Sequence, residues 1–306
     1  MAVVNPLSAA SLFSLKDWVV LVTGGGTGMG LMLTQTLATN GCKVYITGRR
    51  VEVLETTARI HGSPGKLGPQ GGSIVPIVMD VTSKESIKGV VDHITKTEGY
   101  LNLLVNNAGV WTTRPSVDPE AGPEAFGKAM FDESIDAWQK AFLTNATSLY
   151  FVTAAFLPLL AKSVSSPTGK MGSVINNTSI SGFLRMSQNS QLAYNASKAA
   201  AVHITRQLAY DLSHKNIKVR VNGIAPGWFP SEMTTGGSDD NNESTPQEDA
   251  PFQQWMEHIG ARVPPGRMGN VKDLATSLLT LATNEYMWGT IFIIDGGIAQ
   301  SMAGNM

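Results

Sequence analysis

From residue 16 onward the chain alternates two kinds of segment, and this alternation limits the fold more than any other feature. Apolar, β-branched runs of strand length occupy 16–23, 43–47, 74–79, 101–105, 173–177, 218–224 and 290–294. Helical stretches lie between them at 28–39, 50–60, 84–97, 136–161, 194–213 and 273–283, with a shorter one at 252–259. Strands that alternate with helices end to end predict an α/β fold, a doubly wound parallel sheet of about seven strands with helices on both faces. No repeat or composition break marks a second domain, so 1–15 reads as an N-terminal extension and 16–306 as a single domain. Three stretches interrupt the pattern. Residues 61–73 read as a loop, 111–131 as an irregular insertion with prolines and glycines, and the region around 230–256 as a loop insertion. The last holds a polar, acidic tract at 239–249 that reads as mobile, solvated surface rather than a cation site.

The first strand runs into Thr23-Gly24-Gly25-Gly26-Thr27-Gly28-Met29-Gly30, and a helix follows. A dinucleotide pyrophosphate needs close backbone approach and free N–H groups at a helix N-terminus; glycines remove the Cβ that would block it. A glycine cluster alone can be a tight turn, but the strand before and the helix after supply the context of a phosphate loop. Gly24, Gly26, Thr27, Gly28, Met29 and Gly30 are therefore candidate cofactor contacts. The second strand ends Ile46-Thr47-Gly48-Arg49-Arg50, with no carboxylate before Glu52. An acid there would hold a ribose 2′-hydroxyl, whereas arginine binds a 2′-phosphate. Arg49 and Arg50 thus favour NADP(H), with NAD(H) possible. As a merely solvated helix start, they would sit unfavourably against the helix dipole.

Tyr194-Asn195-Ala196-Ser197-Lys198 places Tyr194 and Lys198 on one helix face. A free tyrosine titrates near 10, and an ammonium one turn away favours the phenolate, so the pair suits general acid–base catalysis. By itself this spacing is common on helices. Together with the glycine loop, the Asn106-Asn107-Ala108-Gly109 that ends the fourth strand, a serine-bearing fifth strand, Asn145 in Thr144-Asn145-Ala146, the run from Val221 to Gly227 and Asp295-Gly296-Gly297, it resembles the short-chain dehydrogenase/reductase family over about 14–298. The resemblance implies a Rossmann-type sheet and a set of roles. Tyr194 is the acid in reduction and the base in oxidation. Lys198 lowers its pKa and holds the nicotinamide ribose. Asn145 anchors a water that links Lys198 to solvent. Asp80 and Val81 meet the adenine, Asn107, Ala108 and Gly109 line the cofactor, Pro226, Gly227 and Trp228 flank the nicotinamide, and Ser231 stands where a phosphate-contacting threonine is common.

The catalytic serine is open between two positions. Aligning Ile175-Asn176-Asn177-Thr178-Ser179-Ile180-Ser181-Gly182 on Gly182 selects Ser179, two residues further from the tyrosine than the family interval, which would select Ser181. Ser179 is preferred, because a loop in 183–193 absorbs two residues easily while slipping a strand end is costly. Ser181, Phe183, Met186, Trp228, Phe229 and Met233 are the candidate substrate pocket, apolar and adaptable; each could instead be lid packing.

Composition excludes other classes. A formal net charge of −1 gives no field to attract nucleic acid or an anionic membrane. The single cysteine, Cys42, precludes an internal disulfide and reads as a small core residue, so a reducing, cytoplasmic setting is expected. The five histidines lack partners at metal spacing, so no metal site is expected. No cationic leader and no unbroken run of about 18 apolar residues appear, so no signal peptide and no span are expected. The leading expectation is an NADPH-dependent ketoreductase acting on a small or medium, largely apolar ketone or 3-oxoacyl-type substrate. The alternatives are an NAD(P)-dependent alcohol dehydrogenase working oxidatively and, from another class, a non-catalytic cofactor-binding sensor or scaffold. The resemblance also implies a homo-oligomer, tetramer or dimer.

Overall fold

The computed structural model describes residues 5–234 and 246–302. Among the described residues, one parallel sheet contains β1 (Val19–Thr23), β2 (Lys43–Gly48), β3 (Ser73–Val78), β4 (Leu103–Asn106), β5 (Ser173–Asn177), β6 (Arg220–Pro226) and β7 (Ile291–Ile294). The order across it is β3-β2-β1-β4-β5-β6-β7, the doubly wound, Rossmann-type arrangement. The helices are α1 (Gly28–Thr39), α2 (Val51–His61), α3 (Lys84–Thr97), α4 (Gly122–Phe131), α5 (Ile135–Phe142), α6 (Ser148–Ala161), α7 (Leu192–Leu212), α8 (Pro246–His258) and α9 (Val271–Thr283).

The strand sequences explain the two-sided burial. β1 is buried at every position, and alternate side chains of a strand point to opposite faces. Val20 and Val22 pack with Leu33, Leu37, Leu274 and Leu278 of α1 and α9. Val19 and Leu21 pack on the other face with Ile87 and Val90 of α3 and Val152 and Phe156 of α6. A strand covered on both faces needs a continuous apolar run rather than alternation. Cys42 is such a core residue, with burial pushing its thiol pKa up. The sheet progresses outward from β1 to β3, then resumes on the other side of β1 with β4. That switch opens a crevice beyond the carboxyl ends of β1 and β4.

Several expectations change. Leu15, assigned to the extension, is fully buried in the core. Within 111–131, α4 forms, because Pro123 occupies its first turn and Ala125, Phe126, Ala129 and Met130 favour helix. A single turn, Pro64–Leu67, stands in the 61–73 loop. The long helix expected at 136–161 is broken by a π-turn, Leu143–Thr147, which carries Asn145. α8 begins earlier than expected, at Pro246. The acidic tract at 239–249 lies outside the described residues as far as 245; within α8, the Asp249 carboxylate accepts the Met268 N–H at 3.0 Å and so is not plain solvated surface. Ile135–Ser165 has the length and apolar composition of a spanning helix, which a search for an unbroken apolar run does not reveal. Val152, Phe156, Leu159 and Leu160 of this stretch pack on the sheet, so its apolarity is that of a core helix.

Candidate active site

A cleft of about 720 Å³ opens over the crevice. It brings together Gly24, Gly26, Thr27, Gly28, Met29, Gly30, Arg49, Arg50, Asp80, Val81, Asn107, Ala108, Gly109, Ser179, Tyr194, Lys198, Pro226, Gly227, Phe229, Ser231 and Met233 from widely separated parts of the sequence.

The phosphate-loop end is built from backbone. A Cβ on Gly30 would lie 1.9 Å from the Gly24 carbonyl oxygen, so no side chain fits there. Gly28 has φ +51° and faces Ser231, whose Cβ would be 2.9 Å from a Cβ at Gly28. Thr27 caps α1 without a side-chain hydrogen bond, so the first-turn N–H groups are left for a ligand. The loop is clamped from the side. Asn107 Nδ2 donates to the carbonyls of Thr23 (2.9 Å) and Gly24 (3.1 Å). Thr23 Oγ1 accepts the N–H groups of Asn107 (2.9 Å) and Ala108 (3.0 Å). A dinucleotide fits this arrangement, in which a glycine cradle and free helix donors lie in a cleft of ligand size.

The two arginines differ. Arg50 reaches across the cleft to Glu232, with Nη2 3.2 Å from Oε2. Both side chains are exposed, so the pair is weak. Arg49 lies toward Asp80. Burial would raise the Asp80 carboxyl, but hydrogen bonds from the Thr82 hydroxyl (2.7 Å) and N–H (2.8 Å), aided by the Arg49 charge, hold it below its ordinary value. Glu232 and Thr82 were not anticipated; both lie in loops whose spacing carries no signal.

At the other end, β5 and α7 meet. Asn177 ties the halves together, since its Nδ2 donates to Asn107 Oδ1 at 2.8 Å and its carbonyl accepts Lys198 Nζ at 3.0 Å. Its neighbour Asn176 accepts from Asn106 Nδ2 at 2.9 Å. The sequence offered a signal for these two, because adjacent asparagines at the buried end of a central strand demand partners. Asn145 does not line the cleft. Its Oδ1 accepts the Val110 N–H and its Nδ2 donates to the Val110 carbonyl, both at 2.8 Å, while a further bond of 3.0 Å runs from Nδ2 to Ser197 Oγ. It therefore pins the strand-four loop to α7.

The expected pKa coupling is corrected. Burial pushes the Tyr194 phenol above its ordinary value, and a hydrogen bond with Ser179 opposes that rise. Lys198 Nζ sits 5.8 Å from the Tyr194 ring centroid and is turned to the Asn177 carbonyl. Burial with no facing carboxylate pushes its own pKa down to about 8. Ser179, rather than the lysine, is the group that moves Tyr194 toward ionisation.

Several substrate-pocket expectations are also corrected. Trp228 does not line the main cleft. It stacks edge-on with Trp255 at 4.8 Å between centroids and borders a separate cavity of about 130 Å³. Phe229 is buried in the core, its ring filling the space where Gly269 lacks a Cβ. Phe183 and Met186 lie outside the cleft lining, and Ser181 is turned away, its Oγ donating to Gln188 Oε1 at 2.7 Å. Trp111, Lys140 and Thr144 line the cleft instead.

Comparisons with known proteins agree with this architecture. The family model described as short chain dehydrogenase matches residues 18–242. The short-chain dehydrogenase/reductase PhomF of Diaporthe leptostromiformis is 38% identical, covering 95% of this chain and 94% of that protein. The rhamnolipids biosynthesis 3-oxoacyl-(acyl-carrier-protein) reductase of Pseudomonas aeruginosa is 32% identical, covering 93% and 97%. The solved Pseudomonas aeruginosa RhlG/NADP active-site complex superposes with a TM-score of 0.74 at 30% identity, covering 94% of this chain and 98% of that one.

Proposed function

This chain belongs to the short-chain dehydrogenase/reductase family, oxidoreductases that act on CH–OH and C=O groups with NAD(P), and we propose that it is an NADPH-dependent ketone reductase. The observation that carries the reading is the joining of a dinucleotide cradle, edged by Arg49 and Arg50, to the Ser179–Tyr194–Lys198 cluster in one cleft. The NADP-bound relative and the 3-oxoacyl reductase among the relatives support the cofactor and a 3-oxoacyl-type or similarly apolar ketone. Val110, Trp111 and Met233 give the cleft an apolar wall suited to such a substrate.

Gly24 to Gly30, Asn107 to Gly109, Pro226, Gly227 and Ser231 would hold the cofactor, with Asp80 and Val81 at the adenine end and Arg49 at the 2′-phosphate. The bound cofactor supplies hydride for the carbonyl carbon. Ser179 donates a hydrogen bond to the carbonyl oxygen and Tyr194 delivers the proton. Lys198, held at the Asn177 carbonyl, keeps positive charge beside that transfer below about pH 8. Asn145 acts by bracing Val110 and α7. In this reading the enzyme works in the cytosol as a homo-oligomer. Tyr150 on α6 and Tyr210 on α7, 51% and 82% exposed, support contact between copies through these helices.

The test is titration with NADPH and, separately, NADH, following nicotinamide fluorescence. At least tenfold tighter NADPH binding, about 1.4 kcal/mol, is expected. Equal or reversed preference would overturn the arginine argument and favour alcohol oxidation with NAD.

A further inference from the structure

The segment between Ser179 and Tyr194 is strained. Gln188, Asn189 and Ser190 are consecutive non-glycine residues with φ of +52°, +63° and +59°. L-residues visit this region singly, not as a left-handed turn, and such outliers persist only where surrounding structure holds them. Here the holding contacts are specific. Ser190 N–H donates to Ser187 Oγ at 3.1 Å, and Asn195 Nδ2 donates to the Ser187 carbonyl at 3.0 Å, tying the turn to α7. The turn drives the Gln188 side chain inward, where the residue is only 6% exposed. Gln188 Oε1 accepts Ser181 Oγ at 2.7 Å and Gln191 Nε2 at 3.0 Å. Ser181 in turn donates its backbone N–H to Ser179 Oγ at 3.1 Å, closing the 3₁₀ turn Ile180–Gly182.

We propose that Gln188 is a positioning residue for proton transfer: through Ser181 it locks the turn that aims the Ser179 hydroxyl at Tyr194. The two residues that lengthen this segment relative to the family interval are thereby given a task, because without the strained turn an amide could not reach Ser181 from this side. The proposal rests on the reading of Ser179 as the group that polarises the substrate oxygen. Strain at this point is the cost of a fixed hydroxyl rotor, since Ser179 would otherwise turn freely about its own side-chain bond.

The readout is the apparent pKa of Tyr194, followed as the phenolate difference spectrum that Tyr194→Phe removes, in the full chain alone and with NADP⁺. Reduction of ethyl acetoacetate by NADPH gives kcat and KM alongside it. Gln188→Leu keeps the bulk and removes the acceptor. It is expected to raise the Tyr194 pKa by about one unit and to lower kcat about tenfold with KM little changed. Gln188→Glu keeps the acceptor oxygen and is expected to restore both. Ser181→Ala cuts the same bond from the other end and is expected to shift Tyr194 in the same direction, with no further effect of Gln188→Leu in that background. A wild-type Tyr194 titration in Gln188→Leu, or in Ser181→Ala should the first variant not fold, overturns the proposal and leaves Gln188 a structural residue. Ser179→Ala separates the two readings. If its Tyr194 titration is unchanged, the assignment of Ser179 itself fails; if only Ser179→Ala shifts Tyr194, Ser179 stands and Gln188 falls.

Discussion

The two ends of the cleft are made by different means. The cofactor end is built from backbone: glycines that admit no side chain, carbonyls and N–H groups, and asparagines clamped between strands, with Asn107 alone bridging Thr23, Gly24 and Asn177. The substrate end is built from side chains on loops: Trp111, Met233 and Lys140 in the wall, with a packed cluster of Trp228, Phe252 and Trp255 behind it. Backbone geometry tolerates few residue types, whereas an apolar wall accepts many of similar volume. One end can therefore be specified tightly while the other is free to follow a substrate. The boundary between them is the Ser179–Tyr194–Lys198 cluster, where buried titratable groups belong to both.

That boundary is the place of the largest expected effect. Lys198→Met should lower turnover about 10³-fold and yet stabilise the protein. The ammonium's pKa falls from 10.5 to about 8 on folding, so its burial cost is present in full below about pH 8 and fades as pH rises toward 10.5. Removing it should therefore add about 1–3 kcal/mol at pH 7, with a smaller gain at higher pH. Urea unfolding at two pH values checks this. A loss of stability at both would mean that the bond to the Asn177 carbonyl outweighs the desolvation, and would break the picture of a strained boundary. For the same reason, turnover of the wild type should fall above about pH 8.

Gly30→Ala probes the backbone-built end. With its Cβ 1.9 Å from the Gly24 oxygen, the loop must shift, and cofactor affinity should drop at least about 100-fold, about 2.7 kcal/mol. The comparison predicts that Trp228 and Trp255 fluorescence stays near wild type. A matching change in both would show that the two ends fold as one unit.

Legibility in the sequence follows the same division. The strand–helix alternation, the glycine loop, Arg49, Tyr194 and Lys198 could be placed because each is fixed by period or by a backbone need that only certain residues meet. The π-turn at Leu143–Thr147 could not, since its residues are ordinary helix formers and only its contacts with Val110 and Ser197 hold Asn145 there. Trp228 could not be placed either. Its position after Pro226-Gly227 aims it at the cofactor in sequence, but Trp255, from a helix distant in the chain, offers a better-packed surface. The Gln188 turn was invisible for a third reason: three non-glycine residues at positive φ run against local preference, and only tertiary contacts impose them.

A smaller effect separates the arginines. Arg49→Ala should erase about tenfold of any NADPH preference, whereas Arg50→Gln should cost about threefold, because its charge is already shared with Glu232 across an exposed pair. Cofactor titrations of the two variants read this directly. A larger loss at Arg50 would mean that the 2′-phosphate displaces Glu232, making residues 231–234 part of the cofactor end rather than the substrate end.

The smallest effect bears most directly on where the boundary lies. Trp228→Leu keeps an apolar side chain but removes the edge-on contact with Trp255 and the tilted one with Phe252. If Trp228 belongs to the packing behind the substrate wall, stability should fall by about 1 kcal/mol, KM should change, and NADPH affinity should stay within about twofold. If it flanks the nicotinamide, the order reverses, with affinity falling well before stability does. Thermal unfolding and cofactor titration on the same sample distinguish the two, because one side chain half-buried among α8 aromatics cannot also stand against a ligand on the far side of Phe229 without dismantling the cluster that now holds it.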